Sequence, residues 1–440
     1  MNQPVEQFKE IPRFHTYSTG HAYLFISLVL SSCTSLRGAS RTLELILRFL
    51  GINVSIPCFQ TGRLWILRLG YYKLMREKEK AEDWIWIVDH TVQCGKEKCL
   101  AILGIRQSGL PNGDKILCFE DVEPIALFPV SKSNGEVVYE QLEDTVCKTG
   151  VPREIISDHG SDIKKGIERF CDAHPETCFI YDIKHKAAAI LKRELSKDER
   201  WNEFTKLSAK TRNKVQQTEL AGFAPPNQRT KARYMNVEEL VKWGMDKIFL
   251  LKEEKGKENS EYERLTEKLG WLFDYEKYIA NWEELIRIVE EAVDFVKIRG
   301  IYNGCEIELM KLAKFDAKTN QAKDVREELF EFMCEEGQRA KGNEVLLGSS
   351  EIIESVFGKY KQLEHEQSKS GFTVYLLSIA ASLSKTTEEV VQNALETVRT
   401  NKVHKWFKEN VGKSVHSIKA ELNSIVKKAK QKWDEKCFES

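Results

Sequence analysis

Apolar positions recur at helical spacing through two early segments of the chain. The segment SLRGASRTLELILRFLG begins at Ser35, and CFQTGRLWILRLGYYKLM follows after a short linker. Ser35 suits an N-cap and Gly51 suits a helix end, so the sequence predicts two helices joined by a tight turn. We expect Arg63, Arg68 and Lys73 to point outward from the second helix.

Two short helices of which the second is basic are typical of a helix-turn-helix that reads DNA. An ordinary helical hairpin has the same pattern and is far commoner. The mixed, polar stretch 1–22 in front of the pair is interpreted as an arm.

Residues 81–195 change to the pattern of an α/β sheet. The predicted strands cover 84–89, 99–106, 126–130, 155–158 and 178–182, and the predicted helices cover 134–149, 161–173 and 184–195. Three early strands followed by alternating helix and strand indicate a sheet with an antiparallel edge. This order resembles the ribonuclease H-like fold.

The rest of the chain is charged and helical in pattern. We interpret 196–343 as a large helical insertion, after which the sequence returns to the α/β domain. The predicted organisation is therefore an N-terminal helix-turn-helix region (1–80), the first part of a ribonuclease H-like α/β domain (81–195), the helical insertion (196–343), the second part of the α/β domain (344–398) and a basic helical tail (399–440).

Two of the predicted strands end on an aspartate. WIWIVD stops at Asp89, and EIIS is followed by Asp158 within ISDHGSD. Ligands of open α/β sheets bind beyond the carboxyl ends of such strands, and Gly160 allows a sharp turn there. Asp162 is a competing candidate, but its place at a helix start favours a capping role.

A third acid is expected on a helix far downstream, in SSEIIESVFGKYK. Glu351 and Glu354 share one helical face, and Glu354 is favoured because Lys361 lies two turns further along that face. A lysine at that position can reach a phosphate backbone, although a plain amphipathic helix gives the same spacing.

These motifs resemble those of a DDE transposase of bacterial insertion-sequence type, in the retroviral-integrase superfamily. IVDHT at 87–91, ISDHGSD at 156–162 and IIESVFGKYK at 352–361 are similar to the three acid-bearing motifs, and 35–70 is similar to the transposase helix-turn-helix. His159 stands where the family usually has Asn, and 196 residues separate Asp158 from Glu354. That long gap is the reason for inferring an insertion.

The resemblance implies Mg²⁺-dependent (or Mn²⁺-dependent) cleavage of element ends and strand transfer into target DNA. Asp89, Asp158 and Glu354 would bind two metal ions, which clamp the attacking and leaving oxygens. DNA contacts would come from four basic residues, Arg37, Arg63, Arg68 and Lys361. It also implies a homodimer or larger assembly on DNA, no small-molecule cofactor, no membrane partner, and a prokaryotic, nucleoid-associated protein.

Charge distribution supports a nucleic-acid partner although the formal net charge is +0. Residues 1–80 hold 11 basic and 5 acidic residues, and 399–440 hold the same numbers. Of the 67 basic and 67 acidic residues, 45 and 57 therefore remain for 81–398. Basic terminal segments around an acidic central region are typical of DNA-binding arms on either side of a metal-binding domain. The simpler interpretation is that the lysine-rich helices are exposed to solvent.

The remaining features restrict the class of protein. The 11 cysteines form no CxxC pair, and Cys171, His174 and Cys178 lack a second ligand pair, so thiols in a reducing cytoplasm are expected rather than zinc. Trp282 and Tyr234 are expected to pack in a core rather than stack on a base. Two alternatives stay open: a non-catalytic DNA-binding protein derived from a transposase, and a nuclease of the same fold.

Overall fold

The computed structural model describes residues 8, 10–92, 98–110, 116–228, 237–253, 260–365, 373–411 and 419–427. The chain divides into two compact units. The first comprises Met1–Phe179 and Ser350–Ser440, and the second comprises Ile180–Ser349. The first unit therefore joins the N-terminal helices, most of the predicted catalytic segments and the C-terminal region. Within the described ranges, no helix has the length and apolar character needed to cross a bilayer.

The structure is a mixture of α-helices and one sheet. The helices are α1 (Thr19–Leu30), α2 (Leu36–Phe49), α3 (Phe59–Met75), α4 (Gly135–Thr149), α5 (Ser161–Ala173), α6 (Ile183–Ser196), α7 (Glu199–Val215), α8 (Val237–Glu253), α9 (Ser260–Leu269), α10 (Glu276–Arg299), α11 (Cys305–Leu309), α12 (Asn320–Gly337), α13 (Glu351–His365), α14 (Leu377–Ser382), α15 (Glu388–Thr397) and α16 (Thr400–Asn410). The strands are β1 (Trp84–Val92), β2 (Lys98–Arg106), β3 (Glu123–Val130), β4 (Glu154–Ser157) and β5 (Cys178–Tyr181).

The five strands form one mixed sheet in the order β3-β2-β1-β4-β5. β2 is antiparallel to both β1 and β3, while β1 and β4 are parallel. The predicted α/β sheet with an antiparallel edge is confirmed. A crossover that returns to a parallel neighbour needs an intervening helix, and α4 supplies it between β3 and β4.

Both faces of the sheet are covered. On one face, Trp86 and Val88 of β1 join Val138 of α4 and Ile167 and Phe170 of α5 in a buried cluster. On the other face, Ile85 and Ile87 are fully buried. There α3 and α14 pack against β3, and α13 packs against β1. Because side chains alternate along a strand, Asp89 belongs to the same face as Ile85 and Ile87.

The predicted early helices are confirmed in their bounds, but the tight turn predicted between them is wrong, because nine residues (50–58) separate the two helices. Ser35 accepts a hydrogen bond from the Gly38 N–H (3.0 Å), and Gly51 ends the helical segment with a φ of +69°. The arm predicted for 1–22 is only partly correct, because α1 begins at Thr19 and packs against both α2 and α3.

Helix α3 lies inside the first unit rather than on its surface. It contacts α1, α2, α14, α15 and α16. A Cβ at Gly70 would collide with the Leu377 carbonyl oxygen, so glycine permits this close approach. The prediction that Lys73 points outward is wrong, since its side chain is fully buried and its ammonium donates to the carbonyls of Leu383 and Ser384.

The second unit is helical, as the loss of strand periodicity over 196–343 predicts. Its described ranges contain α6 to α12 and one isolated bridge, between Ile301 and Leu346. Trp282 is buried against Trp201 and Phe204, and its indole N–H donates to the Asp198 carboxylate (2.8 Å). The core role predicted for Trp282 is confirmed, whereas Tyr234 lies outside the described residues.

Candidate active site

The first two predicted acids directly follow the last residue pair of the parallel ladder between β1 and β4. Ile87 pairs with Ile156 and Val88 pairs with Ser157 in the parallel ladder between β1 and β4. Asp89 and Asp158 are the next residues on the two chains. Neighbouring strands are about 4.8 Å apart, so their carboxylates leave the sheet from adjacent points.

Local hydrogen bonds orient both carboxylates. Asp89 Oδ1 accepts the backbone N–H of His90 (2.6 Å), and Asp158 Oδ1 accepts that of Gly160 (3.2 Å). A Cβ at Gly160 would lie only 3.1 Å from Asp158 Oδ1, so a larger residue would crowd the carboxylate. Gly160 itself has a φ of −52°, which other residues also adopt, so the contact with Asp158 rather than the backbone conformation favours glycine there.

The candidates for the third acid are on helix α13, which contacts β1. Glu351 and Glu354 both lie in its first turn and both are half-buried. Lys361 is exposed two turns further along the same helix. The sheet and α13 thus bring elements bearing all three predicted acids together within the first unit.

The carboxylates do not form a ready-made metal centre. Across the described residues, no group of three or more His, Cys, Asp and Glu side chains is arranged to hold a metal ion. The prediction that the first strand ends at Asp89 is wrong, because β1 continues to Val92 and Asp89 pairs with Ala101 of β2. Asp158 does follow the last residue of β4. Both side chains are carboxylates, the type of ligand that Mg²⁺ and Mn²⁺ prefer.

A polar network beside Asp158 was not anticipated from the sequence. Lys98 Nζ lies 2.8 Å from Asp162 Oδ2, and His90 Nδ1 lies 3.7 Å from the same oxygen. The His90 Nε2 is 3.3 Å from Ser133 Oγ. The capping role predicted for Asp162 is wrong, because Gly160 is the N-cap of α5 and Asp162 binds Lys98 instead.

Burial and charge shift the pKa of both acid–base groups in this network. Burial lowers the pKa of His90 to about 4, although the carboxylate of Asp162 opposes that change. Burial alone would raise the pKa of Asp162, but hydrogen bonds from Lys98 and Ser133 outweigh it and lower the pKa to about 2. At neutral pH, His90 is therefore neutral and Asp162 is charged.

The basic residues predicted to contact DNA have different surroundings. Arg63 is half-buried and stacks over the Tyr375 ring at 4.8 Å. Arg68 is half-buried and donates to the Leu395 carbonyl. Arg37 is exposed on α2, and its guanidinium lies over the Phe59 ring at 5.1 Å.

The exposed face of α2 carries two further arginines that the sequence analysis did not single out. Arg41 follows Arg37 by one turn, and Arg48 follows Arg41 by two. Arg48 also pairs with Glu44 (2.7 Å). The helical spacing of these arginines was the available signal, because residues four and seven apart share a face.

Cys171 lies in α5, His174 follows the end of that helix and Cys178 begins β5. His174 Nε2 lies 3.0 Å from Glu143 Oε1, and Cys171 and Cys178 are reduced thiols.

Comparison with known proteins gives this chain no family assignment. It matches no protein-family model, and no curated protein is significantly similar to it.

Proposed function

We propose that this protein is a metal-dependent DNA transposase with a ribonuclease H-like core. The observation that carries the proposal is the register of β1 and β4, which sets Asp89 beside Asp158. The strand order β3-β2-β1-β4-β5 and the packing of α13 against β1 support it. The motif order along the chain supplies the third acid, Glu354.

Asp89, Asp158 and Glu354 are the residues that would hold Mg²⁺ or Mn²⁺, two ions in all. The bound cations would supply Lewis-acid activation of water or a 3′-hydroxyl and stabilisation of the leaving oxygen. The protein's own contribution is positional. The backbone N–H groups of His90 and Gly160 donate hydrogen bonds to the two aspartates and so orient their carboxylates.

DNA binding is assigned to the basic surfaces outside this centre. On α2, Arg37 and its neighbours form an exposed arginine face suited to phosphates. Lys361 is assigned to DNA binding as well, because it is exposed on α13, the helix that also carries Glu354. Arg63 and Arg68 are better suited to holding α3 in place, because both side chains are engaged inside the first unit.

Two DNA ends must be brought together for strand transfer, so the active form is proposed to be a homodimer or larger assembly on DNA. A nuclease of the same fold would cut without joining. A non-catalytic descendant would bind DNA without cutting it.

The deciding experiment uses labelled DNA that carries the sequences flanking the coding region, incubated with Mg²⁺ and a target plasmid. Wild-type protein should cut the label and join it to the plasmid. Asp158→Asn should lose both products yet shift the same DNA on a gel, because the change removes a charge that holds a cation and leaves the basic surfaces intact. The matched control is Asp172→Asn, an exposed acid of α5.

The possible outcomes distinguish a transposase from a nuclease and from a non-catalytic DNA-binding protein. Cutting without joining would identify a nuclease, and binding without cutting by the wild-type protein would identify a non-catalytic binder. Wild-type cleavage by the Asp158→Asn protein would remove Asp158 from the active site and overturn the proposal.

A further inference from the structure

A cavity of about 490 Å³ lies in the first unit, between the end of α3, strand β3 and helix α16. Its lining residues are Tyr71, Leu74, Met75, Leu127, Phe128, Lys148, Lys402, Lys405, Trp406, Glu409 and Asn410. The volume falls within the usual range of small-molecule sites, about 300–1,000 Å³. None of these residues belongs to the acid centre described above.

The inner wall of the cavity is apolar and largely aromatic. Leu74 and Leu127 are buried, and Trp406 is only 8% exposed. Tyr71 and Phe128 are half-buried. Aromatic side chains at the floor of a pocket favour a planar ring, because stacking adds to the burial of apolar area.

The rim of the cavity is cationic. Lys402 and Lys405 are exposed on α16, three residues apart and therefore on one face. Lys148 closes another side, and its ammonium donates to the Ile125 carbonyl (2.8 Å). The carboxylate of Glu409 lies 3.7 Å from Lys405, so one anion partly balances three cations.

The combination of an aromatic floor and a lysine rim describes a ligand with one flat face and one anionic end. We propose that this cavity binds a single nucleotide, with the base against Trp406 and the phosphate at Lys402 and Lys405. Lysine binds phosphate as a point charge, and stacking on an aromatic ring is tolerant of base identity. The Glu409 carboxylate and the Asn410 amide oxygen offer acceptors to the polar edge of the base, while the Asn410 amide N–H donates to the Trp406 carbonyl (2.8 Å).

The nucleotide can be free or can be the terminal nucleotide of a DNA strand, since both present the same base and phosphate. The site does not depend on the acid triad or on the proposed transposase activity. Its test therefore uses binding alone.

Isothermal titration calorimetry of the full-length protein with 2′-deoxyadenosine 5′-monophosphate measures the site directly. We expect saturable binding that falls about tenfold in Lys405→Gln and about tenfold in Trp406→Leu. Lys408→Gln is the matched control, because Lys408 is exposed on the same helix but does not line the cavity. Circular dichroism checks the fold of Trp406→Leu, and the exposed Lys405 gives a second variant if that protein is unfolded.

Three competitors identify the ligand. Deoxyadenosine and inorganic phosphate should each bind more weakly than the nucleotide, and a single-stranded oligonucleotide ending in the same 5′-nucleotide tests the strand end. Oligonucleotide binding that is tighter than nucleotide binding and is weakened in Lys405→Gln and Trp406→Leu assigns the site to DNA, because binding at the arginine face of α2 would not change in those variants. Tighter binding of the free nucleotide assigns the site to a metabolite.

The proposal is overturned if neither nucleotide nor oligonucleotide binds, if inorganic phosphate binds as well as the nucleotide, or if the Lys405 and Trp406 variants bind like the wild-type protein. Asp158→Asn should bind the nucleotide normally. A failure of the acid centre and a failure of this site are thus recorded by different variants.

Discussion

Val88 of β1 and Ser157 of β4 form the last pair of the parallel ladder, and an aspartate follows each of them. Two carboxylates that leave the sheet at adjacent points repel one another when both are ionised. A divalent cation between them relieves that repulsion, so the arrangement links cation binding to the stability of the fold.

Mg²⁺ should therefore stabilise the protein against unfolding. A ligand that binds only the native state adds about 2.7 kcal/mol when its concentration is a hundred times its Kd. We expect Mg²⁺ to raise the midpoint of thermal unfolding of the wild-type protein but not that of Asp89→Asn or Asp158→Asn. Differential scanning calorimetry with and without Mg²⁺ measures this, with Asp172→Asn as the control. An equal shift in all four proteins would place the cation elsewhere.

The two glutamates of α13 should differ in their effect on cleavage. Glu354→Gln should lower the rate of DNA cleavage about a hundredfold or more, because losing one charged ligand removes transition-state stabilisation of several kcal/mol. Glu351→Gln, one helical turn earlier on the same helix, should leave cleavage within about threefold of the wild-type rate. Single-turnover cleavage of labelled DNA compares them. The reverse result would transfer the role of third acid to Glu351.

Local signals in the sequence were sufficient for most elements of the sheet domain. α5 occupies 161–173 as predicted, because Gly160 precedes it and its apolar positions keep helical spacing. β4 was recognisable as a buried apolar run between Pro152 and the Asp158 turn. The same locality explains why Asp89 and Asp158 could be selected, since each directly follows an apolar run of a strand.

Long-range partners explain what the sequence could not predict. On α3, Lys73 has the helical phase of an outward residue, yet its partners at 381–386 follow more than 300 residues later. Asp162 looks like a helix cap until β2 brings Lys98 beside it. A buried or paired charge is visible in a sequence only when its partner is near in the chain.

Burial of Lys73 should make it important for stability. Its ammonium donates to the carbonyl oxygens of Ala381 (3.3 Å) and Ser384 (2.8 Å) and to Thr386 Oγ1 (2.7 Å), which follow or end α14. Lys73→Met leaves these oxygens without that donor and should lower the free energy of unfolding by about 2–4 kcal/mol.

Urea unfolding at pH 6 measures this loss. Burial lowers the pKa of Lys73 only to about 7, so the ammonium is still charged at that pH. The control is Lys408→Met, which removes an exposed lysine of α16 and should change the free energy of unfolding by less than about 0.5 kcal/mol. Equal stability of the two variants would show that the buried ammonium contributes nothing net.

A carboxylate pair in the second unit should make its stability depend on pH. Burial, a hydrogen bond with Glu238 and the charges of Glu238 and Asp294 raise the pKa of Glu290 to about 8, against the opposing charge of Lys242. The unfolded chain loses this proton near pH 4.5 while the native state keeps it, so the stabilising contribution is complete below pH 4.5 and is lost as pH rises towards 8.

Unfolding free energies of the wild-type protein should fall over that window by up to about 1 kcal/mol per pH unit more than those of Glu290→Gln, after allowance for solvent screening. Because Glu336 titrates in the same direction in both proteins, the difference between them isolates Glu290. Chemical denaturation at pH 5 to 9 supplies the curves, and Glu291→Gln on the same helix should keep the wild-type slope. Parallel curves for wild type and Glu290→Gln would mean that the native state does not hold the proton.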